Sequence, residues 1–363
     1  MPPPRPRVTI QHVARAVGVS PSTVSVVLNG HDRALGIREA TRLAVLEASE
    51  RLGYRANHAA RSLRRRRTNV LSLLVQALDN PCFVDIAVAA REAADTHGYE
   101  LNVIGAGPVD AELRALDRLH DEGSDGVIVA TGRHSTRPAA LQILHDLVTH
   151  GLRAVVLLDH SPEPGIPAIR VDVELGARLA VEHLLGLGHR RIAHLALQGP
   201  GPIGIEQSSQ GDRFRGYRRA LLAAGIDADP DWLVRGQDTL PGGYLMMNQL
   251  LDRPTPRPTA ALVYNDITAI GALRALHERG LRVPDDMAVI GTDGIDLSLF
   301  TTPALTTVDH PREVLGRYAV EVLCELLDGR EPPELERVFE PQLVVRESCG
   351  ARTATARGTR HVA

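Results

Sequence analysis

Four polar residues of this sequence lie where a ligand-binding cleft would need them. Asp159, Asn265 and Asp293 each fall just beyond the end of an apolar run, and Arg213 lies near the start of a helical stretch. Open α/β sheets bind ligands in the crevice outside the carboxyl ends of their strands. Two carboxylates, an amide and a guanidinium facing one cleft would suit a polyhydroxylated molecule, because hydroxyls donate to carboxylates and accept from arginine. Taken singly, Asn265 could instead cap the following helix and Asp293 could cap a turn.

A second group of polar side chains lies within residues 8–30, where the pattern predicts two short helices. Thr9 can cap the first helix, and Gly18 can supply the left-handed residue that ends it. Ser20 is then the N-cap of the second helix, with Pro21 at its first position. Two amphipathic helices joined by so short a turn indicate a helix-turn-helix, whose second helix enters the major groove of DNA. An ordinary αα corner in a larger core would have the same pattern.

Charge is distributed unevenly along the chain. Residues 1–67 hold 13 arginines and 4 acidic residues, whereas the remainder holds 28 arginines and 40 acidic residues. A basic first part indicates phosphate binding, and the acidic remainder should not itself lie on DNA.

Cysteine content and the amino terminus bear on the compartment. The cysteines are Cys82, Cys324 and Cys349, odd in number, widely spaced and without a CxxC pair. They predict neither a disulfide framework nor a zinc site, which fits a reducing cytosol. The start, MPPPRPR, lacks the apolar region of a signal peptide, and no run is long enough to span a membrane. We therefore expect a cytoplasmic protein.

These motifs together resemble the lactose-repressor/galactose-repressor (LacI/GalR) family of bacterial transcription regulators. The likeness begins with VTIQHVARAVGVSPSTVSVVLNG at 8–30, EATR at 39–42 and GYRAN at 53–57. It continues with NPCF at 80–83, SDG at 124–126, LGLGHRRI at 185–192, RFRGY at 213–217, YND at 264–266, VIGTD at 289–293 and PALTTV at 303–308.

The resemblance implies a DNA-reading second helix and a hinge after the head. Residues 57–63 would become helical on DNA, and Leu63 occupies the position of the leucine that wedges into the minor groove. A flexible arginine-rich linker is the alternative for this segment. The predicted DNA-binding residues are Thr9, Ser20, Pro21, Ser22, Thr23, Ser25, Val26, Asn29, Asn57, Ala60, Arg61, Leu63 and Arg64.

The resemblance also implies a small-molecule effector, a sugar or a related polar metabolite. Arg213 matches the family's ligand-binding arginine, and Phe83 would supply an apolar wall of the site. The predicted effector-binding residues are Phe83, Asp159, Arg213, Asn265 and Asp293. No cofactor and no metal ion are expected.

Three positions depart from the family's pattern. Val26 stands where many members carry a base-reading arginine, so readout would shift to Ser22, to apolar contact with a thymine methyl group, or to other arginines. Ala56 replaces the proline before the hinge. Asp238 lies where some sugar-binding members place an aromatic residue, which puts the identity of the ligand in doubt.

From Asn69 onward, apolar runs alternate with helical stretches, which predicts a doubly wound α/β architecture. Strands are predicted at 70–75, 100–104, 126–129, 154–158, 192–197, 260–263 and 287–290, and helices at 86–97, 111–122, 175–187 and 267–279. A segment of this length exceeds one comfortable sheet, so two similar lobes are expected. The resemblance arranges them as in periplasmic sugar-binding proteins, with three crossovers near 167–171, 293–297 and Gly329.

The predicted domain organisation has four parts: a helix-turn-helix head over 1–56, a hinge over 57–68, a two-lobed body over 69–350 and a disordered tail over 351–363. A third helix should complete the head, with Leu43, Leu46 and Leu52 facing inward and Gly53 ending it.

Two other classes of protein fit parts of the sequence. Residues 199–204 spell GxGxxG after a predicted strand, as in a dinucleotide-binding enzyme, but their two prolines fit the tight turn poorly. No catalytic triad motif, Walker A loop or metal-ligand cluster accompanies them. A transport-type solute-binding protein would share the body but not the basic head, and it would need a signal peptide. Neither class is favoured.

The sequence therefore predicts a homodimeric transcriptional regulator, more specifically a repressor. Two heads would bind a pseudo-palindromic operator, and the effector would act by preferring one arrangement of the lobes. Residues 350–363 have no leucine heptads, so no tetramer through a carboxyl-terminal coiled coil is expected.

Overall fold

The computed structural model describes residues 8–28, 36–54, 67–106, 114–116, 118–119, 123–131, 138–160, 164–198, 208–254 and 256–351. The chain divides into two compact units, Met1–Thr68 and Asn69–Ala363, here called the head and the body.

The head contains three helices: α1 (Ile10–Val17), α2 (Pro21–Leu28) and α3 (Glu39–Leu52). Gly18 ends α1 in the left-handed conformation (φ 74°), as glycine does most readily. The Oγ of Ser20 accepts a hydrogen bond from the Thr23 N–H at 3.1 Å, which satisfies one of the free donors at the start of α2. The predicted pair of helices and its turn are therefore confirmed.

The predicted orientation of α3 is partly wrong. Leu43 and Leu46 are 55% and 38% exposed, whereas Val45 and Ala48 are buried and Leu52 packs against the core of the head. The spacing i, i+3, i+7 places residues 45, 48 and 52 on one face of a helix, and residues 43 and 46 lie off it. The helical period, and not the apolar character of the side chain, therefore determines which residues of α3 face the core.

The body has the following helices and strands in chain order: β1 (Val70–Val75), α4 (Pro81–Thr96), β2 (Glu100–Gly105), β3 (Gly126–Ala130), α5 (Pro138–Thr149), β4 (Arg153–Leu157), β5 (Ala168–Val171), α6 (Val173–Gly186), β6 (Ile192–Leu197), α7 (Ser209–Ala223), β7 (Leu233–Gly236), α8 (Leu240–Leu251), β8 (Ala260–Val263), α9 (Asp266–Glu278), β9 (Ala288–Asp293), β10 (Thr306–Asp309), α10 (Arg312–Leu327), β11 (Glu336–Phe339) and β12 (Gln342–Val344). Short 3₁₀ helices lie at Pro230–Trp232 and Asp296–Leu299.

In the described part of the body these strands form two six-stranded sheets, one in each lobe. The order in lobe 1 is β11-β5-β4-β3-β1-β2, with every neighbouring pair parallel. The order in lobe 2 is β12-β10-β9-β8-β6-β7, in which only the β10–β12 pair is antiparallel. Helices cover the sheets, so β3 and β9 are buried along their whole length. The predicted two-lobed α/β architecture is confirmed.

Two of the three predicted crossovers are wrong. The first comes at Asp172, directly after the predicted segment, where β5 of lobe 1 gives way to α6 of lobe 2. Residues 293–297 stay in lobe 2, and the second crossover follows β10 at 310–311. Gly329 stays in lobe 1 between α10 and β11, and the third crossover comes at 340–341. The strands β10 (TTVD) and β11 (ERVF) contain few apolar residues, so they do not stand out as apolar runs, unlike the equally short β8 (AALV).

The sheet orders place a cleft between the lobes. In lobe 1 the strand order reverses at β1, which lies between β2 and β3, and in lobe 2 it reverses at β6, between β7 and β8. Ligands of doubly wound sheets bind at such switch points, outside the carboxyl ends of the strands. The carboxyl ends of both sheets face the same cleft, and the body carries its candidate site there.

Candidate functional site

The cleft between the lobes holds a cavity of about 580 Å³, part of it open to solvent. Four of the five predicted effector-binding residues line it: Phe83 from α4, Arg213 from α7, Asn265 after β8, and Asp293 at the end of β9. Further polar lining residues are Gln76, Asn80, Thr131, Ser209, Asp238, Tyr264 and His310.

The carboxylate of Asp293 lies between two side chains that do not reach it. Its Oδ1 is 4.0 Å from Nη2 of Arg213 and 3.7 Å from Nδ1 of His310, both beyond hydrogen-bond distance. Nε of Arg213 and Nε2 of His310 are both buried and have no hydrogen-bond partner in the described residues. Buried polar groups are rarely left unpaired, so this arrangement is incomplete without a further polar molecule.

Burial sets the ionisation of this group of residues. It raises the pKa of Asp293 to about 6, against the opposing charge of Arg213 and the hydrogen bond from Asn80. It lowers the pKa of His310 to about 3, and the nearby charges of Arg213 and Arg312 act in the same direction. At neutral pH the imidazole is therefore uncharged, and the carboxylate is largely ionised and accepts hydrogen bonds.

The backbone at Asp293 is in an uncommon conformation. Its φ is +105°, a region that residues with a Cβ seldom adopt and that glycine favours. Such conformations cluster at binding sites, where the surrounding structure over-determines them. Here the backbone N–H of Gly294 donates to Oγ1 of Thr307 at 3.2 Å, and Nη1 of Arg312 donates to the Asp293 carbonyl at 2.5 Å. These two contacts hold the carboxylate in the cleft.

Two asparagines line the cleft and at the same time cap the first turn of a helix. Oδ1 of Asn265 accepts from the Thr268 N–H at 2.8 Å and so caps α9, which is the alternative role that the sequence allows. Oδ1 of Asn80 accepts from the Cys82 N–H at 3.0 Å and caps α4, while its Nδ2 donates to Oδ2 of Asp293 at 3.4 Å. Because each cap uses the side-chain oxygen, the amide nitrogen is the group left to act in the cleft.

The cleft has a second aromatic residue in addition to Phe83, and the sequence did not predict it. Tyr264 directly follows β8, and the guanidinium of Arg213 lies 4.5 Å from its ring centroid, a cation–π arrangement. Asp238 instead lines the cavity with a carboxylate, whose Oδ2 accepts from Nε2 of Gln76 at 2.5 Å. Gln76 follows β1 of lobe 1 and Asp238 follows β7 of lobe 2, so this hydrogen bond joins the two lobes.

Asp159 does not line the cavity. Its buried Oδ1 accepts from the backbone N–H of His160 at 2.9 Å and of Ser209 at 3.0 Å. Ser209 begins α7, so this carboxylate links the loop after β4 to the helix that carries Arg213. Position after a strand was a sound criterion for the cleft, but it does not fix which way the side chain points.

The same criterion could have found two of the missed residues. Gln76 directly follows β1 and Thr131 follows β3, and both strands were predicted from their apolar runs. His310 follows β10 in the same way. Because β10 was not predicted, His310 had no such marker in the sequence.

The head presents the predicted DNA-reading residues on the outer side of α2. Val24 and Val27 are buried, so Ser22, Ser25 and Val26 lie away from the core. Thr9, Ser20, Pro21 and Ser22 are exposed, and Thr23, Ser25 and Val26 are partly exposed. The other predicted DNA-binding residues lie outside the described part of the chain: Asn29, Asn57, Ala60, Arg61, Leu63 and Arg64. So does the GxGxxG segment at 199–204.

Membrane spans and metal clusters are both absent from the residues that the structure describes. None of their helices is long and apolar enough to cross a membrane. They also contain no cluster of three or more His, Cys, Asp or Glu side chains that could hold a metal ion.

Known proteins share both the head and the body. The family model described as "Bacterial regulatory proteins, lacI family" matches residues 9–57, and that of the "Periplasmic binding protein-like domain" matches 181–349. The HTH-type transcriptional repressor PurR of Aliivibrio salmonicida (strain LFI1238) is 31% identical over 344 residues, which cover 94% of this chain and 98% of the relative.

Solved structures of regulators of this kind are also similar to this chain over nearly its whole length. A lac repressor dimer bound to operator and the anti-inducer ONPF is 30% identical, with a TM-score of 0.78, and the match covers 95% of this chain and 99% of that one. A complex of the transcriptional regulator CelR with cellobiose is 31% identical, with a TM-score of 0.67, over 94% and 100% of the two chains. These similarities span head and body together and confirm the resemblance found in the sequence. The chain belongs to the lacI family of bacterial regulatory proteins and is a DNA-binding transcriptional regulator with an effector-binding domain, not an enzyme.

Proposed function

We propose that this regulator is a homodimeric repressor whose affinity for a pseudo-palindromic operator changes when a neutral polyhydroxylated metabolite binds in the cleft. The observation that carries the proposal is the gap around Oδ1 of Asp293, with unpaired buried nitrogens on Arg213 and His310 at the same cavity.

A hydroxyl group is the ligand group that completes this gap. It can donate to the Asp293 carboxylate and at the same time accept from the guanidinium of Arg213. A neighbouring hydroxyl can pair with Nε2 of His310, since an uncharged imidazole offers one acceptor or one donor there. The cleft is thus suited to a molecule with adjacent hydroxyls, such as a sugar or the ribose of a nucleoside.

The charges of the cleft favour an uncharged ligand. Asp238 and Asp293 both line the cavity, against the single guanidinium of Arg213. A phosphate group would bring two negative charges beside these carboxylates in a partly buried site, where like charges repel strongly. We infer that the effector is not phosphorylated. The related CelR structure contains cellobiose, an uncharged sugar.

Exposed apolar residues on lobe 1 support the dimer. Val84 and Val88 are exposed one turn apart on α4, and Val103 is exposed on the edge strand β2. Because α4 packs against β2, these exposed apolar side chains lie on neighbouring elements and support a protein–protein contact there, for which a twofold-symmetric homodimer is the commonest assembly. The related lac repressor structure is a dimer.

In the dimer, each head would bind one half-site. The polar outer face of α2 can hydrogen-bond to base edges, and the arginines of residues 1–67 can contact phosphates. Residues 57–63 would serve as the hinge, with Leu63 as the minor-groove wedge. The effector would control the operator by binding one arrangement of the lobes more tightly than the other.

Selection of binding sites from a random DNA library tests the proposal, since it identifies an operator directly from the protein's own preference. We expect enriched sites with two half-sites related by twofold symmetry. Affinity for them should fall steeply with salt, by a log–log slope of about −5 or steeper, because two heads release several counterions each. An asymmetric single site would contradict the dimer, and failure to enrich any sequence would contradict operator binding.

Effector control is then measured on the selected operator. Neutral sugars and nucleosides are titrated into the complex, each beside its phosphorylated counterpart, and fluorescence anisotropy reports release or tightening. A response to phosphorylated compounds alone would contradict the inferred ligand class.

A further inference from the structure

A second set of contacts joins the lobes next to the cleft, and it consists of ionisable side chains. Nε2 of His160, in the loop after β4 of lobe 1, lies 2.7 Å from Oδ2 of Asp212 on α7 of lobe 2. Nη1 of Arg170, on β5 of lobe 1, lies 3.6 Å from the same oxygen. The side chain of Asp212 is only 6% exposed, so solvent screens these contacts far less than it screens surface ion pairs.

Two members of this set, Arg170 and Asp212, are held by further contacts. Nε of Arg170 donates to Oε1 of Glu336 on the neighbouring strand β11 at 2.8 Å, which fixes the guanidinium within lobe 1. Asp212 also pairs with Arg215, one turn along α7. A set of pre-oriented partners loses less side-chain entropy on pairing than two free side chains would.

The carboxylate of Asp212 is ionised in this environment. Burial raises its pKa, but the hydrogen bond from His160 and the charges of His160, Arg215 and Arg170 outweigh burial, and the pKa falls below its ordinary value. The charged groups that face His160 are Asp212 from α7, Arg170 from β5 and Asp159 beside it in the chain.

The position of Asp212 gives this set of contacts a consequence for the cleft. Asp212 directly precedes Arg213 in the first turn of α7, and Ser209 at the start of that helix is held by Asp159. The lobe 1 contacts therefore fix the helix turn that aims Arg213 at Asp293. They do not touch the cavity themselves, because none of His160, Arg170 and Asp212 lines it.

We propose that His160, Arg170 and Asp212 form an inter-lobe ionic clamp, which holds the start of α7 against lobe 1 and so positions Arg213 before any effector binds. They are positioning residues and not effector contacts. The clamp lowers the cost of ordering the site, since the conformational adjustment that a ligand would otherwise have to drive is already made. The role assigned to Arg213 rests on the proposed function, but the clamp itself does not.

The experiment uses the full-length protein without ligand or DNA, so it does not depend on what the cleft binds. Amide hydrogen exchange is followed in wild type, His160→Gln and Asp212→Asn. Arg178→Gln serves as the matched control, because Arg178 pairs with Glu182 on the exposed surface of α6 in lobe 2. In the same samples, phenylglyoxal modification of Arg213 is quantified by mass spectrometry relative to the exposed Arg274.

We expect at least fivefold faster exchange in both clamp variants over residues 209–216 of lobe 2 and over 158–160 and 168–171 of lobe 1. Arg213 should be modified several-fold faster, while the Arg178→Gln control behaves like wild type. His160→Gln leaves α7 itself unchanged, so its effect there cannot come from lost helix capping.

A conservative variant separates charge from shape. Asp212→Glu keeps the carboxylate and should restore much of the protection that Asp212→Asn loses. Wild-type exchange and wild-type Arg213 reactivity in His160→Gln would overturn the clamp. So would equal losses in Asp212→Glu and Asp212→Asn, because the contact would then depend on packing and not on charge. If the clamp holds but no polyhydroxylated ligand binds, the proposed effector class fails alone.

Discussion

Two sets of polar contacts in the body differ in completeness: the clamp joins the two lobes, and the set around Asp293 lies on the lobe 2 side of the cleft. In the clamp, Nε2 of His160 and Oδ2 of Asp212 lie 2.7 Å apart, and Arg170, which also faces Asp212, is held by Glu336. In the cleft, Asp293 lies 3.7 Å and 4.0 Å from His310 and Arg213, each of which has a buried nitrogen without a partner among the described residues. The protein completes one set by itself and leaves the other open.

This difference distinguishes contacts that stabilise the lobes without a ligand from contacts that a ligand must complete. A complete set of contacts between the lobes stabilises one arrangement of them at all times. The open set lies within lobe 2, so it can stabilise an arrangement of the lobes only through a ligand that pairs with it and also contacts the lobe 1 side of the cavity. A ligand shifts a conformational equilibrium only by its difference in affinity for the two states. The open contacts at Asp293 are where that difference can arise.

The largest expected effect is on ligand affinity in Arg213→Ala. The substitution leaves ligand oxygens unpaired in a partly buried site, at a cost of roughly 2–4 kcal/mol. Calorimetric titration with a ligand found by the operator assay measures it. Arg274→Ala, which removes an exposed arginine of α9, is the control and should bind like wild type. Operator affinity without ligand should stay within a few-fold of wild type, and a large loss there would mean that Arg213 acts through the fold.

Next in size is a stability effect that separates two buried aspartates. Asp266 accepts from Oγ1 of Thr307 at 2.6 Å and from the Ile295 N–H at 2.9 Å, so its contacts are complete. Asp266→Ala strands both donors and should lower the free energy of unfolding by roughly 2–4 kcal/mol. Asp293→Ala should lower it far less, since Oδ1 of Asp293 lacks such partners. Urea denaturation measures both, and equal losses would remove the distinction between complete and open contacts.

The pKa of Asp293 predicts opposite pH trends for stability and ligand affinity. Its pKa is raised to about 6 in the folded protein, so folding favours the protonated form, and this residue contributes more stability as the pH falls from about 7 toward 4. A ligand hydroxyl that donates to the carboxylate needs the ionised form, so affinity should fall about tenfold per pH unit below about 6. Asp293→Asn should flatten the affinity profile. A pH-independent wild-type affinity would exclude donation to this carboxylate.

The smallest expected effect belongs to His310. His310→Phe keeps a planar ring but removes the one hydrogen bond offered by Nε2, which costs about 1 kcal/mol, or about fivefold in ligand affinity. The substitution should not change the pH profile between 5 and 8, because the pKa of His310 is already lowered to about 3. If His310→Phe were to abolish the pH dependence, the titrating group would be His310 and not Asp293.

The sequence predicted the parts of this protein that depend on neighbouring residues. The start of α2 and the bounds of β1, β6 and β8 were predicted correctly, since caps and apolar runs are local features. It failed where strands with few apolar residues join a sheet through distant partners, as in β10 and β11, and so it misplaced two crossovers. The inward face of α3 follows the helical period through Val45 and Ala48, which leaves Leu43 and Leu46 outside it despite their apolar side chains.

The cleft was predicted only in part, for a related reason. Asn265 and Asp293 were found because they follow strands that the sequence shows clearly. Asp159 also follows a strand, yet its side chain points toward the start of α7. There its carboxylate accepts a hydrogen bond from the backbone N–H of Ser209, a residue 50 positions further along the chain. The clamp could not be predicted, since its members come from three elements and two lobes.

The most direct test of a ligand-completed cleft is a thermal-shift comparison of wild type with Arg213→Ala against matched neutral and phosphorylated sugars and nucleosides. A ligand at about 100 times its dissociation constant stabilises the folded state by about 2.7 kcal/mol. We predict that at least one neutral compound raises the melting temperature of wild type but not of Arg213→Ala, and that its phosphorylated counterpart raises neither. Stabilisation of both proteins to the same extent, or of wild type by the phosphorylated compound alone, would contradict a cleft completed by a neutral polyhydroxylated effector.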